Sequence, residues 1–324
     1  MVNRNFFYRQ WDKLLFLVLL AGFLILTPWK GGQFQVMVPG KPLVQFVPFI
    51  TPTPAPYPVN RTGIYPGLEV SAEGVVVYDV NSGATIYGRN ADESLSPAST
   101  TKIMTALVAL DRYGLDDVVT VRTVANSGQV MGLVPGEQMT VENLLYGALV
   151  LSGNDAAWAL AEQYPGGVDA FVEAMNAKAV TLHLGHTHFT NPVGYDDPGH
   201  KMTATDLTRL AAHALTNKTI AKIVAIPQIT ISDVTHSHFH ALTNVNQLLG
   251  KIPGVAGIKT GWTEEAGENL VTLIERNNHR VIIVVLKSQN RFGDTLSLIN
   301  WTFGNIDWQI FSPNSQSSPP ARMP

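Results

Sequence analysis

The chain of 324 residues contains no cysteine. Disulfide scaffolds, thiolate metal sites and cysteine nucleophiles are thereby excluded, while either a reducing or an oxidising compartment stays open. Charge is sparse too: Asp, Glu, Lys and Arg make up 15% of the residues, and 22 basic against 25 acidic side chains leave a net charge of −3. A chain without a basic excess lacks the electrostatic footprint that grips phosphates, so no nucleic-acid partner is expected. No internal repeat is visible. What is abundant is apolar, with 45% hydrophobic residues, enough to bury the core of one large domain.

The compartment is legible at the N-terminus. An unbroken apolar run from Leu14 to Leu26 follows Arg4, Arg9 and Lys13, the pattern of an export segment. The run is short for a span, but Trp11 and Trp29 bracket about 27 Å of helix, close to a bilayer core of about 30 Å. No small-residue cleavage site follows at Thr27-Pro28-Trp29-Lys30. An uncleaved membrane anchor is therefore preferred over a cleaved signal. In either case the chain after Lys30 lies on the extracytoplasmic side. Eight of the 20 prolines fall between Pro39 and Pro66, the composition of an extended linker reaching on the order of 85 Å. The expected organisation is residues 1–30 anchor or signal, 31–66 Pro-rich linker, 67–308 catalytic domain and 309–324 disordered tail.

Val75 to Gly88 reads as a hairpin around Asn81-Ser82-Gly83, and a second hairpin joins Leu270–Ile274 to Val281–Leu286 across Arg276–His279. Between them the period is helical: Thr101 to Tyr113, a helix capped by Thr140, then Ser152 to Glu162, Val168 to Leu182 and Thr205 to Leu215. Strands at both ends with helices between predict an α+β domain, an antiparallel sheet backed by helices with an inserted helical subdomain.

Three short motifs carry chemistry. Ser99-Thr100-Thr101-Lys102 opens the first helix, where residues three apart share a face, so the amine can activate the hydroxyl if burial keeps it neutral. Backbone N–H groups at that helix start favour developing negative charge. Ser152-Gly153-Asn154 offers a hydroxyl to relay a proton and an amide to hold a peptide carbonyl and orient Lys102, although the pattern alone also fits a helix cap. Lys259-Thr260-Gly261 combines a cation, a hydroxyl and a position where a substrate backbone can approach a strand. The last tripeptide is expected about 0.07 times by chance in such a chain, and all three in this order are not a coincidence.

The trio resembles the low-molecular-mass penicillin-binding proteins, the serine D-Ala-D-Ala carboxypeptidases. LSPASTTKIMTALVAL, LLYGALVLSGNDAAWALAE, FTNPVGYDDPGHKMTATDL, LTNVNQLL and GIKTGWTEEAGENL extend the similarity over about residues 68–308. The resemblance implies the penicillin-binding/β-lactamase-like transpeptidase fold. It also implies Ser99 as acylated nucleophile, Lys102 as base, Ser152 and Asn154 as proton relay and substrate clamp, and Lys259 and Thr260 as carboxylate binders. Gly261 would be the close-approach position, and the backbone N–H groups of Ser99 and Trp262 the oxyanion hole. The implied substrate is the peptidoglycan stem peptide, with β-lactams as covalent inhibitors and no cofactor.

The same machinery serves a D,D-endopeptidase acting on cross-links, which stays open as the alternative. A class A β-lactamase is not supported, because Glu162 and Glu173 lack the E-x-x-L-N context. A membrane-tethered wall-binding module with a decayed site conflicts with the intact motifs. Glu264, Glu265 and Glu268 read as solvated loop charges. His236, His238 and His240 alternate as if along one polar strand face, and neither they nor His183, His186 and His188 are taken as metal ligands.

Overall fold

The structure, a computed structural model, describes residues 15–20, 22, 55–61, 68–124 and 127–310. The chain divides into two units, Met1–Pro52 and Thr53–Pro324. In the first, residues 15–20 and 22 are helical. The expected anchor thus falls largely outside the described residues, among which no helix is long and apolar enough to cross a membrane.

The second unit is organised by one five-stranded antiparallel sheet. Its strands are β2 (Gly74–Asp79), β3 (Ala84–Arg89), β8 (Val255–Thr263), β9 (Gly267–Arg276) and β10 (His279–Ser288), in the order β3-β2-β10-β9-β8. The two predicted hairpins therefore meet side by side, with Val281 opposite Asp79 and Leu286 opposite Gly74. The run from Val281 to Leu286 lacks polar alternation because both faces of this central strand are covered. Ile282, Val284 and Leu286 face the helical core, whereas Val281, Ile283 and Val285 face Leu298, Ile299 and Trp301 of the last helix.

That helical core is built from α1 (Lys102–Arg112), α2 (Val141–Tyr146), α3 (Asn154–Glu162), α4 (Gly167–Thr181), α5 (Ala204–Ala214) and α6 (Lys218–Val224), while α7 (Arg291–Asn305) backs the opposite face. Capping fixes the starts: the Thr140 side chain accepts from Asn143 N, Thr203 from Asp206 N and Asn290 from Gly293 N. Two short hairpins flank the helices, β4 (Val118–Thr120) with β5 (Gln138–Thr140) and β6 (Gln228–Ser232) with β7 (Phe239–Thr243).

The stretch read as linker is not all linker. Tyr57–Asn60 form β1, paired antiparallel with β11 (Ile306–Gln309), and Arg61 adds an ion pair to Asp307 at 2.7 Å. Four residues of the Pro-rich stretch thus gain a partner strand contributed from the far end of the chain, which no local pattern displays. The remainder of the linker up to residue 54, and the tail from residue 311, lie outside the described residues.

Candidate active site

Ser99 sits in a 3-10 turn, Ala98–Thr101, that leads into α1. Ala98 adopts a left-handed φ of 48°, a strained conformation of the kind concentrated at functional turns. The turn is anchored by the Thr100 hydroxyl, which donates to Pro97 O at 2.7 Å. Lys102, one helical turn on, is completely buried. Its Nζ lies 2.7 Å from Ser99 Oγ, 2.7 Å from Asn154 Oδ1 and 2.8 Å from Val193 O. Burial chiefly, and then the neighbouring Lys259 cation, hold Lys102 well below the ordinary lysine range, against an opposing pull from Asp155. The geometry agrees with a neutral amine. In that form the two carbonyl oxygens, which only accept, would take the two N–H groups, and the lone pair would be left for the Ser99 hydroxyl.

Asn154 reaches Lys102 because the chain departs from the α-helix just before it. Gly147–Leu151 form a π turn, and Ser152 follows with a left-handed φ of 68°. Asn154 then starts α3, its Nδ2 donating to Ser127 O at 2.8 Å and its backbone N–H to Gln129 O at 2.7 Å. The adjacent Asp155 carboxylate accepts from the backbone N–H groups of Met131, Gly132 and Leu133.

Ser99, Ser152, Asn154, Thr260, Gly261 and Trp262 line one cleft of about 570 Å³. Lys259 lies buried behind it, its amine lowered to about 7 by burial and by the Arg291 cation. The sequence-predicted residues therefore converge. A Cβ on Gly261 would lie 3.0 Å from Pro97 O and 3.1 Å from Ser99 N, so the absence of a side chain here admits the protein's own nucleophile turn. Trp262, by contrast, is 58% exposed at the mouth.

Sequence reasoning missed two contributors. Arg291, at the start of α7, lines the cleft and donates through Nη1 to Gly261 O at 2.7 Å. With Lys259 it makes one end of the cleft cationic. Asn191 orders the turn that presents Val193 O: its Oδ1 accepts from the N–H groups of Val193, Gly194 and Tyr195. The Asn191-Pro192-Val193-Gly194 composition was a turn signal, whereas nothing local marks Arg291.

The expectations for Glu268 and for the alternating histidines need correction. Glu265 pairs with Lys201 at 2.5 Å, and Glu268 belongs to β9, where its Oε2 accepts from Arg291 N at 2.9 Å. Glu264 and Glu265 are exposed in the turn between β8 and β9, as expected, with Glu265 adding an ion pair, whereas Glu268 is a half-buried strand residue bonded to the Arg291 backbone. His236, His238 and His240 do not share a strand face, because β7 begins only at Phe239. His236 lies in the preceding turn with φ 56° and His240 is buried. Among the described residues no group of His, Asp and Glu is arranged to hold a metal ion.

A profile of the family described as D-alanyl-D-alanine carboxypeptidase (Peptidase_S11) matches residues 60–290. The D-alanyl-D-alanine carboxypeptidase DacF of Bacillus subtilis is 38% identical over 250 residues, which cover 74% of this chain and 64% of that protein. The chain thus spans just under two thirds of that relative. A D-alanyl-D-alanine endopeptidase of Pseudomonas aeruginosa is 33% identical over 253 residues, covering 75% of this chain and 81% of the relative. Among solved structures, the Streptomyces K15 DD-transpeptidase superposes with a TM-score of 0.69 at 34% identity, covering 72% of this chain and 98% of its own.

Proposed function

The chain belongs to the D-alanyl-D-alanine carboxypeptidase family of serine peptidases, and from that premise we propose that it removes the terminal D-alanine from peptidoglycan stem peptides through an acyl-enzyme on Ser99. The carrying observation is the Lys102 amine, buried without a carboxylate partner and held by two carbonyl oxygens with its third position on Ser99 Oγ.

Lys102 takes the Ser99 proton as Oγ adds to the carbonyl carbon of the scissile D-Ala-D-Ala bond. The resulting oxyanion is held by the backbone N–H groups of Ser99 and Trp262. As the C–N bond breaks, Lys102 returns the proton, relayed by the Ser152 hydroxyl, to the departing amine, and D-alanine leaves. Water then hydrolyses the ester, and Ser99 Oγ regains its proton. The free carboxylate of the substrate is read by the Thr260 hydroxyl and by the cationic end formed by Lys259 and Arg291. β-Lactams acylate the same serine and deacylate slowly.

The apolar, base-flanked N-terminal segment supports a membrane-tethered enzyme with its catalytic domain on the extracytoplasmic side; retention of Met1 or Val2 in membrane fractions tests that topology, and a mature N-terminus between Lys30 and Pro66 contradicts it. Because one relative is a D-alanyl-D-alanine endopeptidase, the second reading is cleavage of cross-links. Mass analysis of muropeptides separates them: monomers that lose one D-alanine support the carboxypeptidase, and dimers converted to monomers support the endopeptidase.

A further inference from the structure

Of the histidines singled out in the sequence, only His240 has both ring nitrogens engaged inside the protein. It lies on β7, opposite Ile231, and is 8% exposed. Its Nδ1 is 3.1 Å from Met131 O, and its Nε2 is 2.6 Å from Glu137 Oε1. A carbonyl oxygen only accepts, so Nδ1 carries the hydrogen and donates it to Met131. Glu137 is itself buried, and its other oxygen accepts from Val134 N at 3.0 Å. The histidine and glutamate therefore grip the two ends of one short stretch, Met131 to Val134.

That stretch continues into the wall of the cleft. Ser127, Gly128 and Gln129 line it, and their carbonyls at 127 and 129 hold the side chain and backbone of Asn154. Gly128, at φ 73°, passes so close that an added Cβ would lie 2.6 Å from Asn154 Nδ2. Met131 is seated from below as well, since a Cβ on Gly147 would lie 2.4 Å from its sulfur. Only three residues separate Met131 from Ser127, so a shift of the Met131 peptide has a short path to the Ser127 carbonyl. That carbonyl decides which end of the Asn154 amide faces Lys102. Asp155 fixes the N–H groups at 131, 132 and 133, whereas His240 fixes the carbonyl at 131.

The geometry points to His240, supported by Glu137, as a positioning residue for the Asn154–Lys102 pair, acting through the Met131 carbonyl and the 127–133 wall. The inference rests on the proposed acylation chemistry, and the test keeps the two apart.

The full chain and its variants are titrated with a labelled penicillin, which counts active sites, and the acylation rate constant is then taken per labelled site, alongside the thermal midpoint. His240→Asn places an amide N–H near Nδ1 and keeps the donor to Met131 O; His240→Gln reaches towards Glu137 instead; His240→Leu offers neither. Acylation is expected to be about tenfold slower or more in the Gln and Leu variants and within about threefold of wild type in the Asn variant, an order that stability loss alone does not produce. In the Asn154→Ala background, His240→Gln should cost little further, because the route it acts through is already cut. Rates within twofold of wild type for the Gln variant, an Asn variant as slow as Gln, or fully additive losses with Asn154→Ala would overturn the assignment; should the Leu variant fail to fold, the Asn and Gln pair decides. A wild type that penicillin does not label removes the underlying acylation reading as well.

Discussion

Replacing Asn154 by Asp keeps the shape of the side chain, puts a negative charge beside Lys102 and removes the Nδ2 donor to Ser127 O, so the pH dependence of its effect isolates the electrostatic state of Lys102. In the wild type the neutral amide oxygen sits 2.7 Å from Nζ, and burial together with Lys259 keeps the amine neutral. A carboxylate at the same place pulls the other way. An opposite charge at this range typically lowers the population of the neutral base about ten- to a thousandfold. Since only the neutral amine can accept the Ser99 proton, acylation at pH 7 should fall by a comparable factor, about 1.4 to 4 kcal/mol of barrier. Raising the pH restores the neutral amine, so the ratio of variant to wild-type acylation should climb steadily from pH 7 to pH 10. Stopped-flow acylation by a chromogenic β-lactam, with both proteins measured at each pH, reads that ratio directly. Undiminished acylation at pH 7 would refute the role of Lys102 as base, and a deficit that is flat with pH would show that Asn154 acts through its hydrogen bond to Ser127 O rather than through the charge state of Lys102.

Three further outcomes follow from the same geometry. Thr260→Val should cost a peptide with a free terminal carboxylate about ten- to 150-fold more in kcat/KM than the corresponding C-terminal amide, because only the former loses a charge-assisted hydrogen bond of about 1.5 to 3 kcal/mol; equal losses on both substrates would remove Thr260 from carboxylate recognition. His200, buried with Nε2 2.8 Å from Thr101 Oγ1 and Nδ1 accepting from Thr190 N, is held at about 4, below its ordinary 6.5, chiefly by burial; because the unfolded chain takes up the proton first, stability present above pH 6.5 is lost as pH falls towards 4, on the order of 3 kcal/mol in total, and urea unfolding of wild type and His200→Gln should converge over that window. Gly194→Ala should lower the thermal midpoint and slow acylation together, since φ is 92° and the new Cβ would lie 1.9 Å from Ala98 O, against the nucleophile turn itself; a variant of unchanged stability would contradict the packing described.

What could be read from the sequence was what short-range pattern encodes. The two hairpins, the helices and the Thr140 cap are matters of period and turn chemistry, and the three motifs named the side chains of the cleft because their types are matched to the reaction. What escaped depends on residues distant in the chain. Val193 O completes the Lys102 environment from 91 positions away, and Arg291 reaches Gly261 from the start of α7. Gly261 was expected to be a point of close approach for substrate, and only the fold shows that Pro97 and Ser99 approach it as well. His240 looked like one of an alternating set until the strand began at Phe239. Tyr57–Asn60 looked like linker because their partner strand lies at the opposite end of the domain.

The central claim is that Ser99 is the nucleophile of a D-Ala-D-Ala peptidase. The direct measurement pairs two readouts on the same preparations of wild type and Ser99→Ala: mass mapping of the peptide acylated by a β-lactam, and release of free D-alanine from a stem pentapeptide. The adduct should map to Ser99 in the wild type with one D-alanine released per turnover, and both should vanish in the variant. D-alanine release that survives in Ser99→Ala, or an adduct on any other residue, would contradict the account.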